Sequence, residues 1–278
     1  RFADWVWEDG DRSARLAGSY NEMFNSVVPR DYTAEGRLLS LPGLARTFVP
    51  RDHQRTAVAR MIAEPSVGLF HSVGAGKTAE MAIGATELKR LGLVRKPAVV
   101  VPNHMLEQVA AEWLQLYPQA RLLAAGSDEL AGDQRRRFVG QVATNDWDAV
   151  ILTRTAFQRL PLSPEHEQAF LEREVAAARE RLEALKGASG SSTALRRIEK
   201  AVLRQQERLK EMRDLPSDPG VTFEQTGIDY LLVDELHDFK NLATASQISD
   251  ASITGSKRAM DLYAKIDYLR HSHGQRVM

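Results

Sequence analysis

Five short apolar runs, with amphipathic stretches between them, restrict this chain more than any other feature. VGLFHSV (67–73), AVVVP (98–102), RLLAAG (121–126), AVILT (149–153) and DYLLVDE (229–235) are strand-length and rich in aliphatic residues. AEMAIGATELKRLG separates the first pair and HMLEQVAAEWLQLYP the second, each with apolar residues three and four apart. Strand and helix alternating in this way predict an α/β fold: a parallel sheet with helices on both faces.

Two segments stand outside that rhythm. Residues 1–43 carry Phe2, Trp5, Trp7, Tyr20, Phe24 and Tyr32 among charges, and end at LPGL. They read as one or two helices whose aromatics cover the core; a base-stacking platform would want Lys and Arg interleaved with the aromatics more densely than here. Residues 164–214 carry two heptad strips. Leu171, Val175, Ala178, Leu182 and Leu185 form the first, and Leu195, Ile198, Val202, Gln205, Leu209 and Met212 the second, on either side of GASGSS. Such strips predict an antiparallel helical hairpin whose seams bury each other and whose charged outer faces are solvated. The expected division is a helical extension at 1–43 and a sheet domain at 44–278 interrupted by the 164–214 hairpin.

Composition removes several function classes. Lys plus Arg and Asp plus Glu both total 37, so no global charge draws the chain to nucleic acid, and any such contact is a local patch. There is no cysteine, which rules out disulfides and thiolate metal sites and fits a reducing, cytoplasmic setting. No apolar run approaches the roughly 18 residues of a membrane helix. The start, RFADWVWEDG, has no signal-peptide pattern and the end is strand-like, so the chain reads as a piece of a longer protein.

HSVGAGKT (71–78) lies where the first strand run hands over to a helix. There the first helical N–H groups lack intrahelical partners and carry the positive end of the dipole. Gly74, Ala75 and Gly76 let the backbone curl around a phosphate, Lys77 can reach the outer phosphates, and the Thr78 hydroxyl can ligate Mg2+. The usual pattern opens on glycine and this chain has His71 there; that position only opens the turn. A plain tight turn is the bland alternative.

LLVDELHDFKN (231–241) ends an apolar run in two acids, at the sheet edge where open α/β folds bind ligands. Asp234 is placed to hold Mg2+ and Glu235 to polarise an attacking water. Acids capping a helix are the bland alternative, and the partner loop outweighs it. Gln54, 23 positions before Lys77, has an amide able to donate to and accept from an adenine edge.

Gln54, HSVGAGKT, AVVVPNHMLEQVAAEW, AVILTRTAF and VDELHDFKN follow in order the motifs of the first RecA-like lobe of superfamily 2 helicases. Asp-Glu-x-His with a following Lys-Asn resembles the Swi/Snf-type translocases, whose phosphate loop also lacks the first glycine. More narrowly, the chain resembles the helicase region of large phage- and plasmid-borne DEAD/DEAH-type proteins often joined to an adenine DNA methyltransferase. Those share the aromatic lead-in WVWEDGDRSARLAGSYNEMFN and a helical insertion before the Asp-Glu box. The resemblance implies a RecA-like lobe that binds ATP and Mg2+, works on DNA (duplex in this subclass), and hydrolyses ATP only with a second lobe carrying an arginine finger. It implies adenine recognition by Arg51 and Gln54, phosphate and metal contacts by Lys77 and Thr78, and metal and water activation by Asp234 and Glu235. His237 falls where the family couples the ATP site to the nucleic-acid track. Pro102, Asn103, His104, Thr153 and Arg154 fall in segments that touch the phosphate backbone. Two other readings stay open: another P-loop NTPase such as a kinase, and a non-catalytic, nucleotide-gated interaction module.

Overall fold

Four of the five apolar runs form strands. In the computed structural model, which describes residues 2–25, 30–187, 220–242 and 256–273, these are β1 (Pro97–Val101), β2 (Leu122–Ala125), β3 (Ala149–Thr153) and β4 (Tyr230–Val233). They pair in parallel in the order β2-β3-β1-β4. Val100 stands opposite Leu152 on one side and Val233 on the other, so β1 is central and fully buried.

Successive β1 residues enter opposite cores, as the period of two requires. Val99 and Val101 join Val58, Met61, Ile83, Leu88 and Trp113. These come from helices α4 (Asp52–Ala63), α5 (Lys77–Arg90) and α6 (Leu106–Leu116). Ala98 and Val100 join Phe138, Val142, Phe157, Phe170 and Leu269 on the other face, from α7 (Asp133–Thr144), α8 (Arg154–Gln158), α9 (Pro164–Gly187) and α10 (Lys257–Ser272). Helices cover both faces, as the alternation predicts, and the layout is consistent with a RecA-like fold.

The first run departs from expectation. Residues 67–70 form no strand among the described residues; a lone bridge at Ser66 precedes them. Val67 is buried and Leu69 packs on the core, while Phe70 and Val73 are 95% and 98% exposed. Two inward side chains hold the segment along the core without entering the ladder.

The aromatic lead-in also departs. Helices α1 (Phe2–Trp7) and α2 (Gly10–Tyr20) lead into a π-helical turn at Asn21–Asn25. α2 and that turn bury no residue, and Trp7, Tyr20 and Phe24 are exposed rather than covering the core. Among the described residues, docking begins at Tyr32, which precedes α3 (Thr33–Leu38). Tyr32 is buried with its hydroxyl 2.5 Å from Glu64, and Arg55 donates to the carbonyls of Gly36, Arg37 and Leu39.

The first half of the expected hairpin is α9; the second strip and its loop lie outside the described residues. Val175 and Leu182 are buried as heptad positions should be. Phe170 and Leu171, however, belong to the sheet core, and Tyr263 of α10 donates to Glu174. The start of α9 is therefore part of the domain core, and the expected boundary at 164 is too early.

Candidate functional site

The sheet carries the predicted residues to one edge. β1, β3 and β4 run parallel, and their carboxyl ends lead into Pro102–His104, Arg154 and Asp234–Glu235. Asp234 extends the ladder by one step, its N–H donating to Val100 O at 2.9 Å.

The glycine-rich loop makes a turn that only glycine takes without strain. Gly74 has φ +82° and Gly76, the N-cap of α5, has φ +85°; a Cβ at either would sit in the disfavoured left-handed region. No side chain caps this helix start. Its first N–H groups therefore open into the loop, the arrangement that accepts an anion. Lys77, in the first turn, sends its Nζ back across the loop to the carbonyls of His71 and Ser72, each at 3.2 Å. Thr78 follows it, half-buried.

Gln54 is buried beneath this loop with both ends of its amide engaged. Its Oε1 accepts from the Arg51 N–H at 2.9 Å, and its Nε2 donates to Ala75 O and Gly76 O at 3.3 Å each. A Cβ on Gly76 would stand 2.4 Å from that Nε2. Gln54 thus braces the loop, a task the sequence did not suggest, while Arg51 is exposed at the start of α4.

Asp234 is half-buried, and burial raises its carboxyl above the ordinary aspartate range. The Glu235 N–H, donated to Asp234 Oδ1 at 3.0 Å, opposes that rise, and the Glu235 charge reinforces it. Lys77 and Arg154 draw it down, so the loop lysine and the strand-end acid share one electrostatic neighbourhood. Glu235 has φ 53°, the one positive value at a non-glycine among the described residues. Such a conformation costs about 1–3 kcal/mol and clusters at functional sites. His237 Nδ1 lies 2.9 Å from Glu235 Oε2, both side chains being solvent-accessible.

The residues assigned to a nucleic-acid track divide into two sets. Asn103 and His104 are exposed, and Asn103 exchanges hydrogen bonds with Thr155 at 3.0 and 3.3 Å, linking the ends of β1 and β3. Arg154 pairs with Asp238, just past the acidic box. Pro102 and Thr153 are buried. Thr153 caps α8 by accepting from the Ala156 N–H, so its hydroxyl serves the helix and positions Arg154 instead of reaching the surface.

Sequence reasoning missed His53 and Glu80. Glu80 is fully buried on the core side of α5, and His71 Nδ1 lies 2.9 and 3.1 Å from its two oxygens. His53 Nε2 is 3.8 Å from Glu80 Oε1 and 2.9 Å from Ala75 O. Burial raises the Glu80 carboxyl, and the two imidazoles and Lys77 oppose that rise. The available signal was a charged residue on the apolar face of AEMAIGA, nine positions after the histidine that replaces glycine.

A family model described as a probable helicase domain matches residues 61–277. The defense against restriction protein B of Escherichia phage P1 is 26% identical over 327 aligned positions, covering 99% of this chain and 14% of that protein. The chain thus spans about one seventh of that relative. The Sulfolobus solfataricus SWI2/SNF2 ATPase core, solved in complex with dsDNA, aligns over 43% of this chain and 24% of its own. That alignment has 17% identity and a TM-score of 0.33.

Proposed function

The chain belongs to the probable helicase domain family, and from that premise we propose that it is the ATP-binding lobe of a DNA-dependent motor of the helicase or translocase type. The observation that carries this reading is the glycine turn at Gly74 and Gly76, which leaves the start of α5 without a side-chain cap at Lys77, together with Asp234 at the carboxyl end of β4 in a parallel sheet. A cation at an open helix N-terminus and an acid at a strand end are the groups that a Mg2+-bound triphosphate requires.

In this reading the N–H groups of Gly74 to Thr78 and the Lys77 ammonium take the β- and γ-phosphates. Thr78 and Asp234 hold Mg2+, directly or through water. Glu235 orients and deprotonates the attacking water, and its contact with His237 links that acid to the DNA track formed by Asn103, His104 and Arg154. Gln54 holds the loop in shape; an adenine contact by its amide would come at the expense of its present bonds, and exposed Arg51 is better placed to meet the base. An arginine finger is worth about 10³–10⁵ in rate. We assign that group to a second RecA-like lobe, so that this lobe alone binds nucleotide weakly and turns it over negligibly. In the same reading an adenine DNA methyltransferase, joined to this motor in the proteins that the chain resembles, is a partner. The phage relative's name ties that protein to defence against restriction, a setting in which a DNA-translocating motor would be at home.

The test is fluorescent-nucleotide binding to the 278-residue chain with Mg2+, with and without duplex DNA, alongside Lys77→Ala. Binding that needs Mg2+ and Lys77 supports the site. Binding indifferent to both rejects it, and robust DNA-stimulated hydrolysis by this chain alone rejects the two-lobe division.

A further inference from the structure

His53, His71 and Glu80 converge from three separate elements: the first turn of α4, the segment entering the phosphate loop, and the buried face of α5. Their ligand atoms all lie within 4.8 Å of one another. We propose that these three residues form a binding site for a late first-row divalent cation, Zn2+ being the best fit, separate from the Mg2+ of the nucleotide.

The donor set is the first argument. Two imidazoles and one carboxylate suit Zn2+, whereas Mg2+ prefers oxygen ligands and retained waters. Spacing is the second. Ligands about 2.0–2.2 Å from a tetrahedral ion lie roughly 3.3 Å from one another. The two pairs involving Glu80 Oε1 measure 2.9 and 3.8 Å, on either side of that value. The third argument is convergence on a buried acid. His71 contacts the buried carboxylate, and a second ring, His53, stands edge to face with the first at a centroid distance of 5.4 Å and 3.8 Å from Glu80 Oε1. A divalent ion would use both rings and neutralise a charge that burial otherwise penalises. Access is the fourth. Glu80 is sealed, but both imidazoles are partly exposed and line a groove of about 550 Å³. Three protein ligands leave a fourth position for water from that groove.

Occupancy would also act on the phosphate loop. His53 Nε2 lies 2.9 Å from Ala75 O, and a nitrogen that donates its lone pair to a metal has no proton to give that carbonyl. Metal capture would therefore release Ala75 in the middle of the glycine turn. The site itself does not depend on the nucleotide reading, because uptake is measured without nucleotide.

The experiment titrates the full chain with Zn2+, and with Co2+ as a spectroscopic stand-in, in excess Mg2+ and without nucleotide. His53→Ala and His71→Ala are carried in parallel, since their partly exposed side chains make misfolding less of a risk than at buried Glu80. The expected result is one ion per chain, a Co2+ visible spectrum of four-coordinate nitrogen–oxygen ligation, and at least a tenfold loss of affinity in each variant. No stoichiometric uptake would overturn the proposal. So would uptake that survives in both variants within about twofold, which would assign the ion to other histidines.

Discussion

Gly76→Ala puts the phosphate-loop geometry to the test at one atom. At φ +85°, an alanine costs about 1–2 kcal/mol for the left-handed backbone alone. Its Cβ would also stand 2.4 Å from Gln54 Nε2. That nitrogen ends a flexible side chain, so it can swing away, giving up its donations to Ala75 O and Gly76 O. At 3.3 Å each these are long bonds, worth together about 1 kcal/mol. The sum is about 2–3 kcal/mol. The loop can hold its shape and carry that strain as lost stability, or relax and lose the phosphate cradle. Entirely in binding, it is about a 30- to 150-fold weaker affinity for ATP·Mg; entirely in stability, a fall of several degrees in Tm. Calorimetric binding and thermal unfolding on one preparation apportion the two. Gln54→Ala provides the internal control, because it removes the obstructing amide. In that background the Gly76→Ala penalty should shrink by about 1 kcal/mol, a coupling measurable by a double-mutant cycle. Strict additivity would refute the contact, and an unchanged affinity and Tm in the single variant would refute the loop reading altogether.

Lys77→Ala should weaken ATP·Mg binding at least tenfold with little change in Tm, since its Nζ donates to the loop carbonyls of His71 and Ser72; calorimetry on the variant decides. Asp234 has a folded-state carboxyl raised chiefly by burial, so ionising it disfavours the fold, and its own contribution to stability should decline as pH climbs from the ordinary aspartate value through the raised one. Asp234→Asn should lack that decline and bind Mg2+-nucleotide poorly; parallel stability–pH curves for the two proteins would contradict the assignment. Phe170→Ala should cost about 3–5 kcal/mol in equilibrium unfolding, because Phe170 sits in the sheet core. A loss below 1 kcal/mol would instead return the start of α9 to a self-sufficient hairpin. Lys265 is fully buried, donating to Phe157 O at 2.9 Å and Asp261 at 2.8 Å. Lys265→Met should destabilise by about 3–5 kcal/mol by stranding Asp261, and adding Asp261→Asn should recover much of that in denaturant melts.

What the sequence made legible follows from where burial acts on both sides of a residue. AVVVP and AVILT are apolar at nearly every position because β1 and β3 feed two cores at once, and such runs have few other uses. VGLF looked equivalent, but only Val67 and Leu69 face inward, and composition does not distinguish a half-buried extended segment from a paired strand. The aromatics before residue 25 misled for a related reason: a tryptophan reports apolar surface, not what covers it, and α2 buries none of its side chains. Phe170 was hidden by its neighbour, since the heptad strip explains Leu171 and leaves the adjacent ring out of the count. In the site, the motif residues could be proposed because a phosphate and a metal would dictate residue type and spacing. His53 and Glu80 were not proposed, nor was the partner of His71, because that cluster is internal to the protein and joins three elements by packing alone. Gln54 shows the same division within one residue. It was singled out for what an adenine edge would need, yet its amide serves Arg51, Ala75 and Gly76. A nucleotide that recruits Gln54 must therefore change the loop that holds its phosphates, so base recognition and phosphate binding at this edge cannot be independent.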